Sequence, residues 1–343
     1  MKREDDEKFM RLALREAARG VGRTSPNPAV GAVIVKGGRV IAKGWHRCAG
    51  AAHAEVEALR ALKTPAFARG ATLYVTLEPC CTHGRTPPCT DAITETGIAR
   101  VVIGATDPNP RHSGRGFAVL KKEGIVVTTG ILAERCMALN AGFNKWIATG
   151  MPLVIAKAGL SLDGRLTRPP GEGAWLTHEK SRADAMRLRA QVDAILVGAG
   201  TVRADNPRLT IRGLRAAAKR QPWRVVLTRS GRLPKGAHLF SDEHRERTLI
   251  FRGKSLRVVL RDLGARGCTS VMIEGGGALL GSAFDARLVD RLHFYLAPLL
   301  CGGPDVIGGI GAQNTRESLR LKNITLRKIG PDIRVTADVG VSE

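Results

Sequence analysis

Apolar residues in the first half of the chain recur alternately at helical and at extended spacing. An apolar stripe at helical spacing predicts an amphipathic helix over residues 6–19, and further helical patterns follow at 54–63, 90–96, 116–122 and 133–148. Short apolar runs predict strands at 29–35, 39–45, 72–77, 100–105 and 125–128. The alternation of the two patterns predicts an α/β domain of three layers.

A second series of elements begins after residues 149–152, a short segment that contains glycine and proline. Strands are predicted at 153–157, 194–197, 224–227, 248–251, 270–273 and 292–296, and helices at 179–189, 256–263 and 278–285. We therefore predict two α/β domains, at 1–149 and 150–343. The length of 343 residues agrees, because single cores stop growing at roughly 250 to 300 residues.

Targeting signals are not evident in the sequence. No stretch approaches the ~18 consecutive apolar residues of a membrane span. Residues 1–7 are dense in charge and lack the apolar core of a secretory signal. We expect a cytoplasmic protein without a membrane partner, in which the seven cysteines are thiols or metal ligands rather than disulfides.

The net charge of +23 raises the question of nucleic-acid binding. Residues 1–150 carry 22 Lys+Arg against 13 Asp+Glu, and the rest carry 32 against 18, so the excess is spread as +9 and +14. Aromatic residues make up only 4% of the chain, which leaves few platforms for stacked bases. These features argue against nucleic acid as the primary partner and favour a small molecule.

Three residues in the first domain are typical zinc ligands. His53, Cys80 and Cys89 supply imidazole and two thiolates, and a catalytic zinc site needs three protein ligands and an open position for water. Glu55 lies two residues after His53, where a carboxylate can move protons during hydrolytic deamination. The alternative is a structural zinc that serves only as a folding clip.

The cysteine spacing departs from the usual deaminase pattern of H-x-E followed by P-C-x-x-C. His83 stands where the second cysteine is expected, and the next suitable cysteine is Cys89. Cys81, beside Cys80, is a possible competing ligand. The longer insertion resembles one family, the bifunctional riboflavin-biosynthesis deaminase/reductases. Motifs that carry the resemblance are Pro26-Asn27-Pro28, Val30-Gly31, Leu77-Glu78-Pro79-Cys80, His83-Gly84-Arg85-Thr86-Pro87-Pro88-Cys89 and Asp107-Pro108-Asn109-Pro110.

The resemblance implies a cytidine-deaminase-like first domain with zinc on His53, Cys80 and Cys89, and with proton transfer by Glu55. The substrate contacts that it implies are Asn27, His46, His83, Arg85, Asp107 and Asn109. A turn-forming role is the alternative for Asn27, Asp107 and Asn109, and a place in the core is the alternative for His46.

Segments of the second half resemble the reductase half of the same family, which is similar in fold to dihydrofolate reductase. They are the run from Lys157 to Arg165, Trp175-Leu176-Thr177, the run from Thr201 to Arg212, and Glu274-Gly275-Gly276-Gly277. Lys157 is predicted to lie at a strand end, before a turn that contains glycine. Glycines between a strand and a helix let the backbone approach a dinucleotide pyrophosphate, although triple glycine is also a common turn.

The resemblance also implies roles for individual residues of this second domain. The residues implied to contact NADPH are Gly159, Trp175, Thr201, Asp205, Gly276 and Gly277. The residues implied to hold the substrate are Arg189, Leu209, Arg212 and Glu274, of which the two arginines suit a phosphate. Lys157, Asp205 and Glu274 are the unranked candidates for proton transfer, and a structural ion pair is the alternative for Lys157 and Asp205.

The activity that the resemblance implies is two successive steps of riboflavin synthesis in a homo-oligomer. The first is zinc-dependent hydrolytic deamination of 2,5-diamino-6-(5-phosphoribosylamino)pyrimidin-4(3H)-one. The second is NADPH-dependent reduction of the ribosyl side chain, which gives 5-amino-6-(5-phosphoribitylamino)uracil. An alternative from another class is an RNA-directed base deaminase with an accessory domain, although such an enzyme would not need the second domain.

Overall fold

Two units, Met1–Gly150 and Met151–Glu343, make up the computed structural model of this protein. The structure describes residues 3–83, 87–168, 172, 175–214, 220–303 and 306–340. Each unit has its own sheet and its own hydrophobic clusters. The prediction of a two-domain α/β fold is confirmed.

The first unit is built on a five-stranded sheet. Its strands are β1 (Gly31–Lys36), β2 (Arg39–Trp45), β3 (Thr72–Leu77), β4 (Arg100–Ala105) and β5 (Val126–Thr128). They lie in the order β2-β1-β3-β4-β5. β1 is antiparallel to β2 and to β3, whereas β3, β4 and β5 are mutually parallel.

Helices cover both faces of this sheet. They are α1 (Arg3–Ala18), α2 (Ala54–Arg60), α3 (Cys89–Glu95), α4 (Arg115–Lys122), α5 (Ala133–Leu139) and α6 (Ala141–Thr149), with a 3₁₀ turn at Pro65–Ala68. Phe9 and Met10 of α1 and Cys136 of α5 belong to one apolar cluster, while Ala58 of α2 and Leu120 of α4 belong to another. Two clusters of this kind, one on each face, give the three layers that the sequence predicts.

Asn140 divides the single helix predicted at 133–148 into α5 and α6. Its backbone leaves the helical region (φ −108°, ψ 24°). Its side-chain amide accepts a hydrogen bond from the Ala29 N–H at 2.8 Å and donates one to the Ala29 carbonyl at 2.9 Å. Ala29 lies 111 residues before Asn140 in the chain, so no local sequence pattern could indicate this break in the helix.

The second unit contains an eight-stranded sheet. Its strands are β6 (Leu153–Ser161), β7 (Ala194–Gly198), β8 (Trp223–Thr228), β9 (Thr248–Arg252), β10 (Ser270–Ile273), β11 (Arg291–Ala297), β12 (Arg320–Ile329) and β13 (Asp332–Gly340). The spatial order is β12-β13-β11-β6-β10-β7-β8-β9, and the six strands from β11 to β9 are parallel.

Helices of the second unit again lie on both faces of the sheet. They are α7 (Glu179–Arg189), α8 (Ala199–Asp205), α9 (His238–Ser241), α10 (Leu256–Ala265) and α11 (Gly277–Asp285), with a 3₁₀ turn at Arg245–Arg247. Leu260 of α10 and Leu280 of α11 share one cluster, and Leu188 of α7 and Val202 of α8 share the other. None of the helices in the described ranges combines the length and apolar character that crossing a membrane requires.

The position predicted for Lys157 at a strand end is wrong, because β6 continues to Ser161. β10 pairs with β6 only as far as Ile273 and Ala156, whereas β11 pairs with it as far as Ala297 and Ser161. Lys157 therefore lies inside β6 but just past the end of its neighbour β10. The register places it beside Glu274, the residue that follows β10.

The C-terminal hairpin of β12 and β13 is absent from the sequence prediction. The register of β12 shifts between Lys322 and Thr325, and Asn323 adopts a left-handed conformation (φ 53°). Such a bulge interrupts the alternation of inward and outward side chains by which a strand is predicted.

Candidate active sites

The three predicted metal ligands come together in the first unit. His53 caps the N-terminus of α2, Cys80 follows β3, and Cys89 begins α3. His53 Nδ1 lies 3.2 Å from Cys89 Sγ and 3.4 Å from Cys80 Sγ. The ligand atoms of the three residues all lie within 4.8 Å of one another, close enough for one metal ion to bind all three.

These distances fit a zinc ion. Bond lengths of roughly 2.1 Å to nitrogen and 2.3 Å to sulfur in a tetrahedron place the two ligand atoms about 3.5 Å apart. One imidazole and two thiols are a common donor set for catalytic zinc, with the fourth position open for water. Hydrogen bonds from Cys89 and His53 lower the pKa of the Cys80 thiol, and a lowered pKa favours the thiolate that a metal needs.

Glu55 lies in the first turn of α2 with its side chain buried beside this cluster. Its carboxyl group is hydrogen-bonded to Cys89. Burial raises the pKa of Glu55 to about 7, against the opposing effect of the charge of His53. A buried carboxyl group without a partnering Lys or Arg is suited to exchange protons near neutral pH.

Asn27 and His46 lie next to the cluster. The His46 ring contacts the His53 ring edge to face at 5.3 Å. His46 Nδ1 is 3.0 Å from the Ala52 carbonyl, which only accepts, so Nδ1 carries the proton and Nε2 accepts from the Asn27 amide at 3.2 Å. Burial lowers the pKa of His46, which keeps the ring neutral. The two predicted substrate residues thus form one hydrogen-bonded pair.

Asp107 and Asn109 lie in the loop after β4. The Asp107 carboxylate accepts from the Asn109 N–H at 2.8 Å, and the Asn109 side chain accepts from the Arg111 N–H at 3.1 Å. These contacts agree with the alternative turn-forming role, while substrate contact stays a prediction. His83 is exposed in the loop before Cys89, and Arg85 lies outside the described residues.

Glu78 holds that loop, and the sequence prediction gave it no role. Its carboxylate accepts backbone N–H groups from Asp107, Gly114 and Gly116 at 2.9 to 3.1 Å. Glu78 thereby connects the loop that carries Cys80 with the loop that carries Asp107. The available signal was a carboxylate two residues before a metal ligand, but its partners lie 29 to 38 residues further along the chain.

In the second unit, Lys157 and Glu274 meet as the sheet register requires, with Lys157 Nζ 3.5 Å from the carboxylate. Arg189 of α7 binds the same carboxylate through Nε at 2.7 Å and Nη2 at 3.0 Å. Burial opposes the charge of Glu274, but Arg189 and Lys157 together lower its pKa to about 2. Glu274 is therefore a permanent anion between two cations.

Arg189 forms a third hydrogen bond, since its Nη1 donates to the Thr210 carbonyl at 3.0 Å. Its side chain is only 10% exposed, so its immediate contacts are within the protein. Leu209 adopts a left-handed conformation and its side chain is buried. Arg212 is exposed and lies close enough to Arg189 for the charge of that residue to lower its pKa, after the larger effect of burial.

Two of the predicted NADPH residues meet at the ends of β7 and β10. The Gly276 N–H donates to Thr201 Oγ1 at 3.3 Å, and Gly276 caps the N-terminus of α11. Gly277 has another structural reason to be glycine, because an added Cβ would lie 2.2 Å from the Val306 carbonyl oxygen. No hydrogen bond or ion pair in the described ranges joins Asp205, at the end of α8, to Lys157, Arg189 or Glu274.

Trp175 lies beside a cavity of about 610 Å³. Arg182 covers the indole ring at 5.5 Å, Arg168 donates to the Trp175 carbonyl at 2.6 Å, and all three residues line the cavity. Gly159 contacts Thr177, another lining residue, where an added Cβ would lie 3.2 Å from Cγ2. An exposed aromatic ring with two arginines suits the ring and phosphate groups of a nucleotide.

Comparisons with known families match both units. Residues 3–105 match the family described as the cytidine and deoxycytidylate deaminase zinc-binding region. Residues 152–335 match the family described as the RibD C-terminal domain. The riboflavin biosynthesis protein RibD of Bacillus amyloliquefaciens is 41% identical over 97% of this chain and 96% of that protein. The RibD protein of Escherichia coli K12 is 40% identical over 96% of this chain and 98% of that protein.

Solved structures give the same result. Acinetobacter baumannii RibD is similar with a TM-score of 0.90 at 36% identity, covering 99% of this chain and all of that one. A Thermotoga maritima protein described as a diaminohydroxyphosphoribosylaminopyrimidine deaminase/5-amino-6-(5-phosphoribosylamino)uracil reductase has a TM-score of 0.89 at 35% identity. The similarity covers 98% of this chain and 99% of that protein.

Proposed function

This chain belongs to the RibD family of bifunctional riboflavin-biosynthesis deaminase/reductases, and from that premise we propose how its own residues divide the work. The protein is an enzyme that uses Zn²⁺ in deamination and NADPH in reduction. We assign the first activity to residues 1–149 and the second to residues 150–343. The single observation that carries the assignment is the cluster of His53, Cys80 and Cys89 with Glu55 beside it.

For the deaminase step, His53, Cys80 and Cys89 would hold the zinc. Zinc in such a site lowers the pKa of a bound water and so supplies the nucleophile. Glu55 would accept a proton from the attacking water and deliver one to the leaving amine, which departs as ammonia. Asn27, held by His46, is placed to orient the pyrimidine beside Glu55.

For the reductase step, Lys157 is the proton donor that the contacts favour. NADPH supplies the hydride to the ribosyl carbon, and the sugar ring oxygen must then take up a proton as the ring opens to ribityl. Glu274 does not supply that proton because two cations hold it as an anion, and no hydrogen bond or ion pair of the described residues joins Asp205 to the cluster. Glu274 instead orients Lys157 and Arg189.

The assignment is tested with purified, zinc-loaded protein and the diaminopyrimidine substrate. We expect ammonia release first and NADPH oxidation only afterwards. Glu55→Gln should stop ammonia release while the protein still reduces added deaminated product, and Lys157→Met should show the reverse pattern. Loss of both activities in either variant, with folding intact, would contradict the division between the two units.

The alternative of an RNA-directed base deaminase is not favoured, because relatives match both halves of the chain. A direct check is thermal stabilisation by NADPH, which mass action sets at about 2.7 kcal/mol at a hundred times the dissociation constant. A base deaminase with an unrelated accessory domain would show no such stabilisation.

We also propose that the protein is a cytoplasmic homo-oligomer that binds the phosphorylated pyrimidine rather than nucleic acid. All seven cysteines are free thiols, as a reducing compartment requires. Leu321, Ile324 and Leu326 are exposed on the edge strand β12, where unpaired backbone groups and apolar side chains favour association. Light scattering should show more than one copy, and Leu326→Lys should reduce the mass to that of a monomer.

A further inference from the structure

The segment from residue 206 to residue 212 has an unusual backbone. It follows α8 and contains two non-glycine residues in the left-handed region, Asn206 (φ 41°) and Leu209 (φ 50°). Bulky residues rarely adopt this conformation, and surrounding contacts must compensate for it. The Leu209 side chain is only 2% exposed and packs in the cluster that contains Val202.

Three buried side chains hold the backbone of this segment. Arg224 Nη1 donates to the Arg208 carbonyl at 3.2 Å, and Arg189 Nη1 donates to the Thr210 carbonyl at 3.0 Å. The Gln221 amide accepts from the Ile211 N–H at 2.8 Å and donates to the Ile211 carbonyl at 3.2 Å. The backbone at three residues of the segment is thus held by side chains.

The held segment carries two exposed guanidinium groups, those of Arg208 and Arg212. Neither has an ion-pair partner among residues that the structure describes. Burial lowers the pKa of Arg212, the charges of Arg189 and Arg208 lower it further, and the charge of Glu274 opposes them, so all three of these residues lie near Arg212. Exposed cations held near one another without a carboxylate partner suit an anion that bears more than one charge.

The connections of the segment indicate which anion this is. Arg189 contacts Thr210 with one nitrogen and Glu274 with two others, so the segment is joined through one side chain to the cluster with Lys157. In the proposed reductase step, Lys157 donates a proton to the ring oxygen of the sugar that is reduced. A phosphate attached to that sugar would lie within the reach of the segment.

We propose that Arg208 binds the phosphate monoester of the reductase substrate together with Arg212, and that Gln221 is a positioning residue for both arginines. The proposal rests on the proposed reductase function and adds a residue to its binding site. Arg208 supplies a second planar donor group, as a phosphate dianion requires for paired hydrogen bonds. Within the described ranges, the hydrogen bonds of the Gln221 side chain go to the backbone of Ile211, through which it would act.

The test compares Arg208→Ala with wild type on the phosphorylated substrate and on the same compound without its phosphate. Loss of one charge-assisted hydrogen-bonding group should raise KM for the phosphorylated substrate about tenfold or more, with kcat nearly unchanged. The dephosphorylated substrate should show no difference between the two proteins. Arg261→Ala, which removes an exposed arginine from α10, is the matched control and should leave both KM values unchanged.

Gln221→Ala should raise KM in the same phosphate-dependent manner, and adding Arg208→Ala to it should have little further effect, because the two changes remove one function. Gln221→Glu keeps the acceptor for the Ile211 N–H and should restore part of the affinity. An equal rise of KM on both substrates would overturn the proposal in favour of a general structural role. A rise of KM for NADPH alone would assign the cations to a cofactor phosphate and also overturn it.

Calorimetry with inorganic phosphate separates this proposal from the proposed function. Wild type should bind the anion more tightly than Arg208→Ala by about tenfold, whether or not the protein turns over the pyrimidine. If wild type fails to oxidise NADPH but this difference persists, the reductase assignment fails and the anion site stands. Equal phosphate affinity of the two proteins would refute the anion site.

Discussion

Glu55 and Glu274 are both buried glutamates at the centre of their sites, but their neighbours shift their pKa values in opposite directions. Burial raises the pKa of Glu55 to about 7, and no Lys or Arg of the described ranges is among the groups that oppose this shift. Glu274 is buried as well, yet Arg189 and Lys157 lower its pKa to about 2. One carboxyl group can gain and lose a proton near neutral pH, whereas the other is held as an anion.

The difference shows how one residue type serves two chemistries. In the mechanism proposed for the first unit, the carboxyl group itself moves protons, and the metal ligands would position the water. In the second unit, the carboxylate is a counter-charge that orients the cations around it. Burial alone therefore does not identify a catalytic carboxyl group, and the charges of its neighbours decide its role.

The largest expected effect is that of Glu55→Gln on deamination. Removing the group that moves protons should lower kcat for ammonia release by about 10² to 10⁴-fold. Zinc content and NADPH-dependent reduction of the deaminated product should stay at wild-type values, because Glu55 is not a proposed ligand. The control is Glu57→Gln, which changes a carboxylate of the same helix that pairs with Arg47. Retained deamination in Glu55→Gln would remove Glu55 from the mechanism.

The matching change in the second unit, Glu274→Gln, should act on stability as well as on reduction. It leaves the buried Arg189 and the partly buried Lys157 without their shared counter-charge, and breaking such a buried group costs about 3–5 kcal/mol. Denaturant unfolding should show the loss in the transition of the second unit. Glu246→Gln changes a carboxylate that is 87% exposed and should leave that transition unchanged. An equal effect of the two substitutions would show that Glu274 does not stabilise the second unit through its ion pairs with Arg189 and Lys157.

A smaller effect is expected from acid. Because the folded state lowers the pKa of Glu274 from its ordinary 4.5 to about 2, its contribution to stability is complete above pH 4.5 and is lost as pH falls towards 2. The loss should total about 3 kcal/mol. The free energy of unfolding of the second unit, measured across this range, should fall more steeply in wild type than in Glu274→Gln. Parallel pH profiles would contradict the low pKa.

The smallest effect is expected from Cys81→Ser. Cys81 is adjacent to Cys80 in sequence but does not belong to the group formed by His53, Cys80 and Cys89. Zinc content and deamination should therefore change by less than about twofold, which corresponds to under 0.5 kcal/mol. Cys80→Ser is the paired comparison and should release the metal. Zinc loss in Cys81→Ser, measured by elemental analysis, would make Cys81 a competing ligand.

Much of the fold was predictable from local patterns. Strands β2, β3, β4 and β10 and helix α7 have the predicted bounds, because their apolar periods are regular and their ends are marked by polar or glycine residues. The prediction failed where one distant contact outweighed the local pattern. Asn140 breaks a helix through its hydrogen bonds to Ala29, and the bulge at Asn323 hides the alternation of β12.

The two candidate active sites also differ in how far the sequence alone could predict them. The group of His53, Glu55, Cys80 and Cys89 could be predicted from residue chemistry, because few other functions require that set of side chains. The meeting of Lys157 with Glu274 could not, because it depends on the register between β6 and β10. The contacts of Glu78 were equally hidden, since they are made to backbone groups that sequence patterns do not show.

By itself, the sequence determined the two-domain α/β organisation and predicted the proposed zinc ligands and the glutamate beside them, because side-chain chemistry and apolar period are local properties. The tertiary structure decided which glutamate is an anion, which cations lie beside it and which arginines remain exposed. Those properties depend on burial and on neighbouring charges, which arise only when distant segments pack together.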